Sequence, residues 1–301
     1  MKTLLIAGGL ALAVPGASVA NEWRGDVTLG YSKSDISLVP NDVSAVTLDL
    51  QGEYRLDNGL SFGVGATLAK LDISGAPVDV DVNHFALDAT YRMQNGVKFG
   101  AFAERGKIDV GGLGNAKLTT FGALVGYETD RLDAELYFGK SDVDPSLPID
   151  IKEYGLRANY WVSESAFVTG GLARSRISAG GTDVDLDLIS LGGGYAFNDA
   201  FSVFGGLQKA SVDIANLDAT TLGIGIAYKT QVISNIPTTF SLELARTSLD
   251  IGGPSVDVDT VRLGVSVPLG KSGNSVPLNS VTGSIANGSH NVLTSGILGA
   301  F

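Results

Sequence analysis

The sequence predicts an all-β chain, a transmembrane antiparallel up-and-down β-barrel of fourteen strands, on three observations. Stretches of about ten residues alternate apolar and polar side chains, the period of a strand whose successive residues point to opposite faces. Tyrosine recurs near the end of alternate strands at Tyr54, Tyr91, Tyr127, Tyr160, Tyr195 and Tyr228, at gaps of 37, 36, 33, 35 and 33 residues. The other strands repeat an Asp-aliphatic pair: Asp35-Ile36, Asp72-Ile73, Asp109-Val110, Asp142-Val143, Asp213-Ile214 and Asp250-Ile251, with a degenerate copy at Ile177-Ser178. A fixed period decides architecture, and seven copies of one hairpin give the even strand number.

The hairpin unit is clearest from Gly59 to Gly96. Leu60, Phe62, Val64, Ala66 and Leu68 share one face, as do Phe85, Leu87, Ala89, Tyr91 and Met93 on the returning strand. Asn95-Gly96 suits a tight turn, because such turns need positive φ. The Asp-rich stretch from Asp72 to Asp81 reads as a looser turn at the opposite end.

In chain order the strands are expected at Trp23–Lys33, Ser44–Arg55, Leu60–Lys70, Asn83–Met93, Val97–Lys107, Leu118–Tyr127 and Leu132–Lys140. Lys152–Val162, Phe167–Arg176, Leu188–Phe197, Phe201–Lys209, Thr220–Lys229, Thr239–Ser248 and Thr260–Val267 complete them. Ahead of the first, Lys2, an apolar run from Leu4 to Val14 and a Ser18-Val19-Ala20 ending describe a secretory signal peptide over residues 1–20. The barrel is expected over 21–270. The tail, 271–301, lacks clean alternation and is open to three readings: a plug, a periplasmic segment, or two extra strands that would make sixteen.

Composition excludes several function classes. The chain has no cysteine, hence no disulfide framework, thiol nucleophile or thiolate metal site. Its net charge of −11 argues against nucleic acid, which needs a basic footprint. The two histidines, His84 and His290, stand far apart and Asp183-Asp185-Asp187 lacks the glycine and glutamate of an EF-hand loop, so neither metal nor cofactor is expected. Gly192–Gly194 precedes no helix and no nucleophile motif occurs, so the chain is not expected to be an enzyme.

Half-apolar strands can also form a soluble sandwich. The barrel is preferred because aromatic residues gather at one level: the six tyrosines and, across the tight turns, Phe62, Phe99, Phe167, Phe201 and Phe240. The polar face carries charges at mid-strand. This pattern resembles the Gram-negative outer-membrane porins of the alphaproteobacterial kind, with an acidic charge and a terminal Phe301. The resemblance covers residues 21 to about 268 as a pattern without a diagnostic motif. It implies an outer-membrane channel for passive diffusion of small hydrophilic solutes or ions, and it leaves a homotrimer open. The rival is a closed barrel with a structural or surface-adhesion role.

Parity then sorts the candidate site residues. The expected pore-lining set is Asp49, Glu53, Arg55, Asp88, Arg92, Glu104, Glu135, Glu153, Arg157, Glu243 and Arg262, with His84, Lys98 and Asp133 on the same face. Charges of both signs across a pore would tune which ions pass; the plainer alternative is that pairs such as Glu53 and Arg92 merely fill the lumen. On the outward face Lys33, Lys70, Lys107, Lys140, Lys209 and Arg246 recur at one level, each followed by aspartate. They are read as lipopolysaccharide-facing, bases meeting phosphates and carboxylates sharing bridging cations, against ordinary snorkelling lysines.

Overall fold

A computed structural model describes residues 22–37, 42–75, 79–213, 217–233, 236–252, 255–270 and 276–300. The stretch read as a signal peptide and the terminal Phe301 lie outside the described residues. Alternation yields fourteen strands: β1 (Glu22–Ile36), β2 (Asp42–Arg55), β3 (Leu60–Ile73), β4 (Asp79–Arg92), β5 (Val97–Val110), β6 (Gly114–Glu128) and β7 (Leu132–Asp144). The second half is β8 (Ile149–Ser163), β9 (Ala166–Ala179), β10 (Thr182–Ala196), β11 (Phe201–Val212), β12 (Leu217–Ile233), β13 (Ile236–Ile251) and β14 (Val256–Gly270). Each strand pairs antiparallel with its sequence neighbours, and β1 closes on β14 with Leu29 opposite Val265. Closure leaves no sheet edge, which is the condition for strands to cross hydrocarbon. Because the strand number is even, β1 begins and β14 ends at the same rim, here called the near rim.

The apolar face looks outward. Leu29, Leu48, Phe85, Leu87, Ile189, Ile224 and Leu244 are all exposed on the outer wall. From Tyr54 to Val46 on β2 the belt is about 20 Å tall, taking ~3.3 Å per residue and a tilt of ~40°. At the near rim it ends in rings, with Tyr91 against Phe99 at 5.6 Å and Phe201 against Tyr228 at 4.9 Å between centroids. Phe167 departs from the expected ring. It lies on the inward parity of β9 beside buried Thr169 and packs against Phe204, Ala227 and Val276 inside the barrel. A register shift between Trp161 and Ser163 on the neighbouring strand accompanies this, and Trp161 sits opposite it.

The far rim differs from the sequence expectation. Asp72 and Asp79 form no loose turn but pair in register as the last rung of β3 and β4. Strands run two to six residues beyond the expected ends at this rim, as at β10, which starts at Thr182 rather than Leu188. Connections of two to five residues remain there, against two to four at the near rim, so the expected contrast of long and short turns is absent. The cause is a reversal of polarity. Past the outer belt, alternation continues with aspartate outside and an aliphatic residue inside, which reads as a turn only when apolar is assumed to mean outward.

On that outer face bases meet the aspartates of the adjoining strand. Lys33 pairs with Asp42 at 2.7 Å, Lys70 with Asp79 at 3.4 Å, Lys140 with Asp150 at 2.8 Å, Lys209 with Asp218 at 3.0 Å and Arg246 with Asp259 at 2.6 Å. Lys107 instead pairs along its own strand with Asp109 at 2.7 Å. Inside the same rim sits an aliphatic cluster of Ala45, Ala69, Leu71 and Val82, with Val43, Val80 and Ile108 against it.

No fifteenth or sixteenth strand forms among the described residues of the tail. It carries two short helices, α1 (Val281–Ala286) and α2 (Val292–Ala300), capped by Ser280, which accepts from Gly283 N at 2.9 Å, and by Asn291, which accepts from Thr294 N at 3.0 Å. Both lie within the barrel against β9–β11, α1 reaching β12.

Because Ile224 is 67% exposed in the middle of the outer belt, Ile224→Arg is expected to cost roughly 2–4 kcal/mol. Thr220→Arg, nearer the charged rim, should cost roughly 0–1 kcal/mol. Urea unfolding of the protein refolded into lipid vesicles measures both, and equal costs would contradict the outward belt.

Candidate functional site

The lumen is shared between the tail and an open groove. A floor of glycines receives the tail. Gly192, Gly206 and Gly223 stand opposite one another on β10, β11 and β12. A Cβ on Gly206 would sit 3.0 Å from Ile285 Cδ1 and 3.1 Å from Thr282 N, and one on Gly223 would meet Val281 at 2.7 Å. Only a bare backbone lets α1 approach this closely. Farther round, Gly30 and Gly264 face each other beneath Asn279, whose Nδ2 donates to Leu263 O at 3.1 Å.

Charged wall groups hold the tail at four points among the described residues, beside the neutral contacts of Thr28 with Leu278 N and Asn159 with Ala286 O. Glu243 accepts from Arg262 at 2.7 Å and from Val281 N at the start of α1 at 3.0 Å. Arg262 donates in turn to Gly299 O at 3.0 Å. Glu153, at 0% exposure, accepts from Asn291 Nδ2 at 2.6 Å and from Ser141 Oγ at 3.0 Å, and Ser175 is a further partner. Arg157 donates to Gly288 O and bridges to Glu135 at 2.6 Å. His290 is the fourth point. Its Nδ1 lies 2.6 Å from Glu104 and its Nε2 3.1 Å from Glu135, and its own N–H donates to Glu104 at 3.0 Å. Both ring nitrogens therefore face carboxylate oxygens, to which an imidazolium would donate. It stacks on Phe102 at 4.0 Å and meets Tyr137 edge-on at 4.7 Å.

The groove lies between the tail, α1 included, and the facing wall, and reaches Phe167, Gly194 and Ser202 on β9–β11. A cavity of about 1160 Å³ runs from the near-rim turns at Asp57, Asp130 and Glu164 up to Ala69 and Val82 beneath the aliphatic cluster. Twelve carboxylates line it against five Lys and Arg. Arg55 bridges Glu128 at 2.5 Å and Glu53 at 2.8 Å, and Lys98 lies 3.3 Å from Glu135, with Asp133 its other partner.

All eleven residues of the expected pore-lining set stand on inward parity. Asp49, Glu53, Arg55, Asp88, Arg92, Glu104, Glu135 and Arg157 line the groove. Glu153, Glu243 and Arg262 face inward too, but they are sealed under the tail. Glu53 pairs with Arg55, while Arg92 approaches Glu128 at 3.5 Å, so the Glu53–Arg92 pairing considered from parity does not form. The six outward bases occupy the far rim, in the ion pairs given above.

Sequence reasoning weighed His290 only as a metal ligand and passed over Asn291, Phe102 and Tyr137. An inward aromatic in an outward-aromatic barrel was the available signal: Phe102 falls on the parity of Glu104.

No family model matches the chain, and no curated protein matches it. Among solved structures it is similar to a TodX deltaS2S3 mutant monoaromatic hydrocarbon channel, at 12% identity and TM-score 0.54, over 84% of this chain and 91% of that one. A Pseudomonas aeruginosa FadL homologue gives 10% identity and TM-score 0.52, over 83% of this chain and 90% of the other. The Ralstonia pickettii toluene transporter TbuX gives 12% and 0.50, over 84% and 90%. These likenesses show the fold, that of bacterial outer-membrane barrels, and the outward apolar belt places the chain in such a membrane.

Two substitutions test the docking. Gly206→Leu is expected to push α1 off its floor and make the tail sensitive to added protease while the strand content read by circular dichroism persists. Glu243→Ala strands buried Arg262 and should destabilise the folded protein by about 3–5 kcal/mol in the same urea assay. A protected tail in the first or an unchanged midpoint in the second would contradict the contacts.

Proposed function

We propose that the chain is an outer-membrane channel for small solutes, narrowed by its own C-terminal tail, which acts as a plug. The observation that carries this reading is the charged groove, open space of about 1160 Å³ beside a tail that packs on only part of the wall. A fourteen-stranded barrel encloses more room than wall side chains fill, since about eight strands already make a just-filled interior. Hydrophilic solutes would follow the groove from a periplasmic near rim, where both ends of the barrel wall lie. The solved barrels of similar fold include channels titled for monoaromatic hydrocarbons, which supports a transport role more than a hydrophilic cargo.

The rival reading, a closed structural barrel, draws on the depth at which the tail is buried. The two separate in planar bilayers. Purified full-length protein is expected to give small ohmic steps, and Gly206→Leu or Asn291→Ala should enlarge them roughly severalfold by freeing the lumen. Silence from all three proteins, with the barrel folded, would favour the closed barrel.

The outward far-rim bases, Lys33, Lys70, Lys107, Lys140, Lys209 and Arg246, are proposed to face lipopolysaccharide. They are solvent-accessible just beyond the apolar belt, and their aspartate partners would share them with phosphates. Replacing Lys70, Lys140 and Lys209 together by Gln should lower the lipopolysaccharide retained on purification. Undiminished retention would overturn this assignment.

A further inference from the structure

The outer wall at the far rim is uneven round the barrel, because like charge faces like across its rungs. On one side bases stand directly opposite bases. Lys107 on β5 faces Lys117 on β6, and Lys140, Lys152 and Arg176 form one row across β7, β8 and β9. On the other side aspartates stand opposite aspartates. Asp72 faces Asp79, Asp218 faces Asp250, and Asp35 lies between Asp42 and Asp259. Like charges in register repel one another, so neither side is stabilised along its own rungs.

The chain's own carboxylates do not fully meet the basic side. Lys107 has Asp109 at 2.7 Å and Lys117 has Asp144 at 2.8 Å. Lys140 and Lys152 divide Asp150 between them, at 2.8 and 3.4 Å. Arg105, two residues below Lys107 on the same outward face, has no ion-pair partner among the described residues. Its guanidinium is exposed, with Phe85 of the apolar belt opposite it on β4 and Thr119 opposite it on β6. Asp142 stands one strand farther on, opposite Thr119. Exposed ion pairs of this kind contribute little, so an anion from outside can join or displace these carboxylates at small cost.

We infer that the outer face of β5–β9 is a docking surface for lipopolysaccharide, whose phosphates these bases hold directly. Arg105 offers a phosphate its planar fork of donors, with no carboxylate competing for it. Lys107 and Lys117 stand above it and Lys140, Lys152 and Arg176 continue the surface sideways. Below the bases Phe85, Phe121, Phe138 and Tyr154 are exposed on the outer wall, where acyl chains would lie. The aspartate side repels phosphate unless a divalent cation intervenes. Lipid is therefore held on one side of the barrel rather than evenly round its rim. The inference rests on reading the far rim as the one that faces lipopolysaccharide, and it moves the contact from a ring to an arc.

Bisphosphorylated lipid A, titrated with EDTA present into zwitterionic-lipid nanodiscs that carry the full chain, tests it, with native mass spectrometry counting the bound lipid. Two triple variants are compared, each checked for an intact barrel by its heat-modified mobility on gels. Arg105→Gln, Lys117→Gln and Lys152→Gln together are expected to weaken binding by about tenfold or more. Lys33→Gln, Lys70→Gln and Lys209→Gln together should change it by less than about twofold. None of these six residues is buried. Equal losses in the two triples would overturn the arc and leave the ring standing. No loss in either would overturn both. Binding that EDTA abolishes would mean that cations bridge lipid to the aspartates, and would overturn direct contact with the bases. Phosphatidylglycerol or dephosphorylated lipid A binding as tightly would overturn the assignment to lipopolysaccharide phosphates.

Discussion

The closed ladder of backbone hydrogen bonds from β1 round to β14 is the constraint on which everything else here depends. Hydrocarbon offers a peptide group no partner, so the chain must satisfy itself without an edge. Once the ladder closes, side-chain direction ceases to be free: each residue faces lipid or lumen by parity alone. The outward leucines, the tyrosine rings and the inward carboxylates are three consequences of that single closure. The tail is a fourth, because closure encloses a space that the wall cannot fill.

How that space is filled shows two kinds of packing side by side. Against β10–β12 the wall has given up side chains, and α1 rests on bare backbone at Gly192, Gly206 and Gly223. Around β2–β8 the wall keeps long charged groups, and the tail touches them only at selected atoms such as His290 and Asn291. The first surface supplies close fit and the second supplies direction. Glu104, Glu153 and Glu243 each spend an oxygen on the tail, so the acids of the lumen are partly the tail's receptor rather than its solvent.

The sequence made the membrane-crossing part legible because alternation there has one sign. Leu48, Asp49 and Leu50 reveal their faces without any knowledge of neighbours, and near-rim strand ends fell close to where tyrosine and Asn-Gly marked them. The far rim was misjudged for a physical reason. Asp72 and Ile73 alternate as faithfully as Leu68 and Ala69, but beyond the lipid the water is outside and the aliphatic residue turns in. Phe167 misled in a related way, since a large aromatic next to the girdle was assumed to join it. The tail was illegible for another reason: its helices are short, and their partners are scattered round the barrel from Thr28 to Arg262, contacts that no local pattern encodes.

The far-rim ion pairs bear on bilayer thickness. A lone lysine resists being drawn into acyl chains, whereas Lys33 with Asp42 or Arg246 with Asp259 can be submerged as a neutral couple at smaller cost. The near rim has no such give, because Tyr91, Tyr127 and Tyr160 anchor it at the headgroups. Hydrophobic mismatch would then be absorbed unequally. A thicker leaflet would climb the charged collar at one end while the aromatic end kept its depth.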